Sequence, residues 1–354
     1  MKKPIKHILI IRFRRVGDSV LAVPLCTSLK KSFPDVQIDF VLNSAIASLY
    51  EGHPDIDKII SFTDEENHSL IKYLSRVRQV MQATKYDVII DMRSTVKTLF
   101  FSLFSLNTPY RIGTKKGYNV LLHNYCIDNH NDNLTDMVQH NLQLLRPLEK
   151  EAKITYDPEL RLYVDEKEKN SFRLYMEKQG VDFSRPVIFA SVVTRVAEKM
   201  WNPERMKDVL RRIIDKYQPQ IIFNYTGNRE EELAKALHKE LDNDPHIFTS
   251  VRADSLLDLR AMIANCDFFF GNEGGPRHIA QSFGIPSYAI FSPGIVKSVW
   301  LPGDKERYQG ISPDDLSSPT QQGQMSAQDY FNLITVDDVW KEVDLMLNVY
   351  LAKK

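Results

Sequence analysis

Short apolar runs alternate with helical patterns along most of the chain. In the first half, apolar runs without polar alternation predict strands, and apolar positions at helical spacing predict helices between them. The strands are predicted at His7–Phe13, Gln37–Leu42, Lys58–Phe62 and Tyr86–Met92, and the helices at about 18–32, 66–83, 94–106 and 134–147. Because such runs suit strands that are buried on both faces, this order predicts a parallel sheet covered by helices.

A second series of the same kind follows a charged, irregular stretch, Glu149 to Val164, which predicts a link between two domains. Strands are then predicted at Pro186–Ser191, Gln220–Tyr225, His246–Thr249, Cys266–Phe270 and Pro286–Phe291, and helices at about 203–217, 229–242, 254–265 and 276–283. A polar loop is predicted over 311–326, and a last helix over about 327–351, with one face packed on the body. The predicted organisation is an α/β domain over 1–160, a second over 161–326 and the C-terminal helix within 327–354.

Composition excludes some functions. The chain has 354 residues, which suits two domains better than one core. Its 46 basic and 46 acidic side chains give a formal net charge of zero, so we expect no broad nucleic-acid-binding face and no nucleic-acid partner. The three cysteines, Cys26, Cys126 and Cys266, lie too far apart for a metal knuckle, and the first and last are expected to be buried and reduced.

The sequence predicts a cytoplasmic protein. The apolar run Ile8–Ile11 is too short for a signal peptide. Three charged residues interrupt the longest apolar region, 88–106: Asp91, Arg93 and Lys97. No segment therefore reaches the roughly 18 apolar residues that span a bilayer, while peripheral contact with the inner membrane stays open.

The first segment that carries chemistry follows the first strand: R-R-V-G-D-S-V, residues 14–20. Gly17 permits a tight turn, and Asp18 opens the next helix. Asp18 is either the N-cap of that helix, where aspartate is favoured, or a carboxylate that acts on a substrate hydroxyl as a general base. Tandem α/β domains usually bind ligands in the cleft between them, at the carboxyl ends of the strands. Asp18 lies just after a predicted strand, so a catalytic role is as open as that of a cap.

The second segment, E-K-M-W at residues 198–201, follows the first strand of the second half. Lys199 is either a solvated surface lysine or a point charge that reaches a phosphate. Trp201 is expected to anchor the loop, and Pro203 suits the start of the next helix.

The third segment is the most informative: F-F-F-G-N-E-G-G-P-R-H-I-A-Q-S-F-G-I-P, residues 268–286. Adjacent glycines let a ligand approach the backbone, and the helix that starts at Pro276 offers unpaired N–H groups to a phosphate. Arg277 and His278 lie in its first turn and can add charge. The alternative is a plain strand-to-helix turn with His278 packed against the sheet.

Several familiar motifs are absent from the sequence. There is no G-x-G-x-x-G and no G-x-x-x-x-G-K-[ST], which argues against dinucleotide oxidoreductases and nucleoside triphosphatases. There is also no D-x-D and no H-E-x-x-H, so nothing in the sequence demands a metal, and we expect activity without a metal or other cofactor.

Together these segments resemble glycosyltransferase family 9, the ADP-heptose:lipopolysaccharide heptosyltransferases. K-H-I-L-I-I-R-F-R-R-V-G-D-S-V-L-A-V-P is similar to the family's first strand, G-D turn and first helix. Y-D-V-I-I-D-M-R-S-T-V-K-T, followed by Y-R-I-G, is similar to its second N-terminal signature, and E-K-M-W to its K-x-W segment. G-N-E-G-G-P-R-H-I-A is similar to the donor segment, usually G-N-D-S-G-P-M-H-x-A, and the matches keep the family order over about residues 7–302.

The resemblance implies a GT-B fold, with two Rossmann-like domains facing across a cleft, and inverting, metal-independent sugar transfer. The N-terminal domain would bind a lipid A or core-oligosaccharide acceptor, and the C-terminal domain a nucleotide sugar, ADP-heptose. Asp18 would be the general base and Lys199 a second catalytic residue beside the diphosphate. The expected donor-binding residues are Lys199, Trp201, Thr226, Gly227, Asn272, Glu273, Gly274, Gly275, Pro276, Arg277 and His278.

The sequence departs from the family pattern at both ends of this expected site. Arg14 and Arg15 replace small residues, and their charge suits an anionic acceptor that would also meet Lys97, the acceptor-side lysine. Glu273 replaces Asp and Gly274 replaces Ser or Thr, which bears on the identity of the donor sugar.

Two other functions remain compatible with these residues. One is a nucleotide-sugar epimerase or hydrolase of the same fold, in which Asp18 and Lys97 would not affect turnover. The other is a binding protein without chemistry, which the changes at residues 273 and 274 favour.

Overall fold

The computed structural model describes residues 4–128, 135–317 and 325–351. The chain divides into two compact units, of which the first ends at Tyr163 and the second begins at Val164. The C-terminal helices belong to the second unit.

The first unit is built on a parallel six-stranded sheet in the order β3-β2-β1-β4-β5-β6. Its strands are β1 His7–Ile11, β2 Gln37–Asn43, β3 Lys58–Phe62, β4 Val88–Asp91, β5 Tyr110–Thr114 and β6 Tyr125–Ile127. The first four confirm the predicted strands. The last two were missed because they are short and their side chains are only partly buried, so they lack the unbroken apolar run of the central strands.

Helices of the first unit are shorter than the sequence patterns predicted. They are α1 Val16–Val20, α2 Val23–Ser32, α3 Ser44–Ala47, α4 Asp64–His68, α5 Leu70–Ala83, α6 Leu99–Leu103 and α7 Met137–Leu142, which a 3₁₀ helix, Gln143–Lys150, follows. The helix predicted over 18–32 is wrong as one element, because α2 makes a fresh start with Pro24 in its first turn, where proline is tolerated. The helix predicted over 66–83 is likewise divided, at Ser69, whose side chain caps α5.

The second unit contains another parallel six-stranded sheet, in the order β12-β11-β10-β7-β8-β9. Its strands are β7 Val187–Ser191, β8 Gln220–Phe223, β9 Ile247–Phe248, β10 Phe268–Asn272, β11 Ser287–Ile290 and β12 Tyr308–Ile311. Counted from its own first strand, each sheet has the order 3-2-1-4-5-6 of a Rossmann fold. The strand order therefore reverses between β1 and β4 in the first unit and between β7 and β10 in the second.

Helices of the second unit are α8 Glu166–Lys178, α9 Pro203–Tyr217, α10 Asn228–Glu240, α11 Leu256–Ala264, α12 Gly275–Ser282, α13 Lys297–Trp300, α14 Ala327–Phe331 and α15 Val336–Tyr350. Four of them, α9 to α12, lie close to the four that the sequence predicts between 203 and 283. The single helix predicted over 327–351 is wrong, because Thr335 caps a separate α15 through a capping box with Asp338. Its packed face is confirmed by the burial of Val339 and Val343.

Three further predictions meet the structure here. Cys26 and Cys266 are buried free thiols, as predicted. Of the polar loop predicted over 311–326, residues 318–324 lie outside the described residues, as does residue 134 of the helix predicted over 134–147. Over the ranges that the structure describes, no helix is long and apolar enough to cross a membrane.

Candidate active site

Asp18 lies beyond the carboxyl end of β1, at the point where the strand order of the first unit reverses. Helix α1 begins at Val16 after an extended Arg15 that gives no side-chain cap, so Asp18 is the third helical residue. Of the two roles that the sequence leaves open for Asp18, that of an N-cap is therefore excluded. Its carboxylate, which is largely buried, is held from the side by two arginines, with Oδ1 3.4 Å from Arg12 Nη2 and 3.3 Å from Arg14 Nε.

Arg12 joins the ends of the two central strands. Its guanidinium donates to the carbonyl oxygen of Met92, just after β4, at 3.1 Å, and to that of Asp18 at 3.2 Å. Burial lowers the pKa of Arg12 to about 10 against the opposing effect of Asp18, and the charges of Arg14 and Arg93 lower it further. Two guanidinium groups, those of Arg12 and Arg14, thus contact the Asp18 carboxylate, and the charge of Arg93 interacts with it from a greater distance.

Arg93 is the member of this group that the sequence analysis missed. Burial lowers its pKa, as does the charge of Arg14, whereas Asp18 raises it. The signal was present in the sequence, because D-M-R follows a predicted strand as R-F-R-R does, and the carboxyl ends of adjacent parallel strands share one edge. Arg14 and Arg15 are both exposed, so their charges face solvent at this edge.

The side chain of Lys97 is held against helices α4 and α5. Its ammonium group donates to the carbonyl oxygen of Asn67 and lies 4.3 Å from the centre of the Tyr73 ring. The Tyr73 hydroxyl donates in turn to the Lys97 carbonyl oxygen at 3.0 Å, and burial lowers the pKa of Lys97. These contacts hold the Lys97 side chain in one position beside Asn67 and Tyr73.

The buried Asp91 carboxylate organises the loop that carries Arg93 and Lys97. Its Oδ1 accepts the backbone N–H groups of Arg93 and Ser94 at 2.9 and 2.8 Å, and Oδ2 accepts the Thr98 hydroxyl at 2.6 Å. Burial raises the pKa of Asp91 to about 6, against the hydrogen bonds that lower it. This loop, rather than a helix, occupies the start of the predicted 94–106 helix.

Gly113 in Y-R-I-G leaves room for this arrangement. A Cβ atom at Gly113 would lie 2.3 Å from His123 Nδ1 and 2.6 Å from Ser94 Oγ. The His123 ring is buried, which lowers its pKa to about 4, and its Nε2 lies 3.6 Å from Asp91 Oδ2. A side chain at residue 113 would therefore displace the loop that Asp91 holds.

In the second unit, Asn272 ties together the segments predicted to bind the donor. This fully buried side chain ends β10, and its Nδ2 donates to the carbonyl oxygens of Ser191 and Val192 at 2.9 and 3.1 Å. Its Oδ1 accepts the backbone N–H of Trp201 at 2.8 Å. Asn272 thus sets the E-K-M-W loop beside the ends of β7 and β10.

Trp201 anchors that loop, as the sequence predicted. Its ring is fully buried, and its Nε1–H donates to the carbonyl oxygen of Ile334 at 3.3 Å. Lys199, two residues earlier, ends a short 3₁₀ helix and is partly exposed. Its positive charge contributes to lowering the pKa of Glu273.

Glu273 and His278 form a pair at the start of α12. His278 Nε2 lies 3.6 Å from Glu273 Oε1. Burial would raise the pKa of Glu273, but the hydrogen bond and charge of His278 bring it below its ordinary value, with help from Arg277 and Lys199. The carboxylate therefore stays ionised in a largely buried position.

Arg277 is turned into the protein. Its guanidinium donates to Gln281 Oε1 at 2.8 Å and to the carbonyl oxygen of Trp300 at 2.6 Å. Burial lowers its pKa to about 10. The charge of Arg277 acts on this site through Glu273, while its hydrogen bonds hold α12 against the segment around Trp300.

The glycines of this segment differ in what they accommodate. Gly271 has φ +125°, and a Cβ atom there would lie 2.4 Å from the carbonyl oxygen of Ser191, so the chain itself requires glycine. Gly274 is extended, with φ 171°, and a Cβ atom would meet nothing nearer than Pro276 Cδ at 3.8 Å. Gly275 is the first helical residue of α12, so Gly274 and Gly275 present no side chains where this helix begins.

Thr226 and Gly227 follow β8 and are exposed. The N–H of Thr226 donates to Glu230 Oε2 at 2.7 Å. Gly227 precedes α10 with φ +78°, a conformation that favours glycine, and a Cβ atom there would meet open space. A second helix N-terminus without a capping side chain therefore lies at this edge of the sheet.

Two sheets of Rossmann order in one chain, each with charged side chains where its strand order reverses, match the two Rossmann-like domains of the GT-B class. The model of the family "Glycosyltransferase family 9 (heptosyltransferase)" matches residues 74–329. The chain belongs to this family and is a glycosyltransferase. The family thereby favours sugar transfer over the epimerase and binding-protein alternatives.

A relative and two solved structures are similar to this chain. The chain is 21% identical to lipopolysaccharide heptosyltransferase 3 of Escherichia coli, with 94% of this chain and 96% of that protein covered. It has the fold of a glycosyl transferase family 9 protein from Veillonella parvula, with a TM-score of 0.84, 18% identity and 99% of each chain covered. It also has the fold of the E. coli heptosyltransferase WaaC, solved with ADP-2-deoxy-2-fluoro heptose, with a TM-score of 0.69, 15% identity and 96% and 99% covered.

Proposed function

We propose that the protein transfers heptose from ADP-heptose to a lipid A or core-oligosaccharide acceptor of lipopolysaccharide type, with inversion at the anomeric carbon. The names of the relative from Escherichia coli and of the solved WaaC complex support the donor and the acceptor class. The observation that carries the proposal is the Asp18 carboxylate, held by arginines at the carboxyl end of β1. A fixed carboxylate in this position suits a general base for a hydroxyl nucleophile.

The acceptor would be bound by the first unit. Its hydroxyl oxygen attacks the anomeric carbon, and Asp18 takes the proton as that bond forms. Arg12 holds the carboxylate from its buried side, so the carboxylate does not turn away. Arg14, Arg15 and Lys97 would meet the anionic groups of the acceptor.

The donor would be bound by the second unit. As the bond between the anomeric carbon and the phosphate oxygen breaks, negative charge builds up on the departing diphosphate. Lys199 and the N–H groups that open α12 can stabilise this charge, a contribution of a few kcal/mol per well-placed donor. Glu273, kept ionised beside His278, would accept hydrogen bonds from sugar hydroxyls.

Replacing Lys199 with alanine should weaken ADP binding and slow transfer together, because one positive charge is removed from the diphosphate in both the ground state and the transition state. Calorimetry with ADP and steady-state kinetics measure the two effects. Lys239→Ala is the matched control, because Lys239 lies in the last turn of α10 and is exposed. If Lys199→Ala binds ADP and transfers sugar as the wild type does, Lys199 is a solvated surface lysine that does not contact the diphosphate.

We propose that the reaction needs no metal ion, since Lys199 and the α12 N-terminus can supply the positive charge that a metal would provide. Transfer should therefore proceed at an unchanged rate in excess chelator. A complete loss of activity that magnesium restores would show instead that Glu273 or Asp18 holds an ion.

We also propose that the protein acts in the cytoplasm and contacts the inner membrane peripherally, because an acceptor of the lipid A type is anchored in a bilayer. This part of the proposal rests on the acceptor class alone.

A further inference from the structure

One long segment of the first unit has an unusual charge. Residues 94–127 contain no Asp or Glu, although the chain has 46 acidic residues in 354. The same segment carries four cationic side chains: Lys97, Arg111, Lys115 and Lys116. The segment therefore carries a net positive charge in a protein whose formal net charge is zero.

The segment also exposes large apolar side chains. Seven of them face solvent: Val96, Leu103, Phe104, Leu106, Tyr118, Val120 and Leu121. Leu121 is 88% exposed, in a loop where the neighbouring Val120 is also 47% exposed. A concentration of exposed apolar side chains in one segment is typical of an interaction surface.

Hydrogen bonds place the parts of the segment side by side. The Arg111 guanidinium donates to the carbonyl oxygens of Leu106 and Leu122, each at 2.7 Å, so the loop after α6 and the loop between β5 and β6 adjoin. The Tyr118 hydroxyl donates to the Ser94 carbonyl oxygen at 2.8 Å, which brings the loop of Val96 to the same place. The seven apolar side chains, together with Lys115 and Lys116, are called the 94–121 surface below.

We propose that the 94–121 surface docks on an anionic lipid bilayer. Leucine and valine side chains at loop tips can enter the boundary between headgroups and acyl chains, and Tyr118 suits the headgroup level. Lys116 can bind lipid phosphates directly. Lys115 can do so by exchanging its ion pair with Asp128, which is half exposed and therefore weak, for a pair with a phosphate. A bilayer needs no shape complementarity, so it suits apolar groups that are spread over several loops.

The inference is tested by sedimentation of the purified full chain with vesicles, in the absence of sugar nucleotide and acceptor. We expect binding to vesicles that contain phosphatidylglycerol and much weaker binding to pure phosphatidylcholine. Val120→Ser combined with Leu121→Ser should lower the binding constant for vesicles at least about tenfold, because two apolar side chains that would be buried in the bilayer are replaced by polar ones. Binding should also weaken between 0.1 and 1 M salt, where the Debye length falls from about 10 to 3 Å.

The matched control is Leu345→Ser combined with Val349→Ser, which removes the same residue types from α15, where they are 64% and 52% exposed. This variant should bind vesicles as the wild type does, and both variants should melt as the wild type does and transfer sugar to a water-soluble, deacylated acceptor. Three outcomes would overturn the inference: no sedimentation of the wild type with anionic vesicles, an equal loss in the control, or a wild-type dimer that Val120→Ser with Leu121→Ser dissociates. Because no substrate is present, failure here is distinct from failure of the proposed function.

Discussion

Replacing Asp18 with asparagine is expected to lower the rate of sugar transfer about 10²–10⁴-fold, the range that a positioned general base contributes. The amide keeps the size of the carboxylate but cannot take the proton of the acceptor hydroxyl. Arg12 retains its hydrogen bonds to the carbonyl oxygens of Met92 and Asp18, so the strand ends stay joined. Rates are best measured in single turnovers with both substrates saturating, so that product release does not mask the chemical step.

The loss of a charge beside Arg12 can also lower stability, because a buried guanidinium then lacks its counter-charge. Asp18→Glu separates the two effects, since it keeps the charge but moves the carboxylate by one methylene. We expect Asp18→Glu to melt near the wild type and still to transfer slowly. Asp35→Asn, at an exposed carboxylate of the same unit, should leave the rate unchanged. Turnover of Asp18→Asn at the wild-type rate would rule out Asp18 as the base.

Replacing Gly275 with valine is expected to abolish stabilisation of the protein by ADP while the unliganded protein melts within a few degrees of the wild type. Gly275 is helical rather than left-handed, so valine there needs no positive φ, although a β-branched residue directly before Pro276 disfavours the helical conformation. Its branched side chain would stand over the N–H groups that open α12, where we expect the diphosphate. Loss of ADP binding would then report blocked access rather than misfolding.

Thermal shift with ADP measures this effect directly, because a ligand at 100 times its Kd stabilises the folded state by about 2.7 kcal/mol. Gly275→Ala, which adds one methyl group, should give an intermediate loss. Stabilisation of Gly275→Val by ADP to the wild-type extent would place the diphosphate elsewhere and contradict the proposed donor site.

The sequence alone determined the fold class and the segments that carry chemistry. Unalternated apolar runs such as Ile8–Ile11 identify strands that are buried on both faces, and their order predicts two parallel sheets. The motifs G-D, E-K-M-W and G-N-E-G-G-P follow such strands, at the edge of the sheet where ligands bind in these folds. These signals are local, so a few consecutive residues suffice to read them.

Only the tertiary structure decided what the individual side chains do. The charge of Arg93 acts on Asp18 and Arg12 because β1 and β4 are adjacent. Asn272 bonds to Trp201 across 71 residues of sequence. Arg277, which the sequence presents as a free charge in a first helical turn, is instead buried against Gln281 and the Trp300 carbonyl. Whether a polar group faces ligand or protein depends on register and packing between segments that are distant in sequence, and no local pattern encodes that.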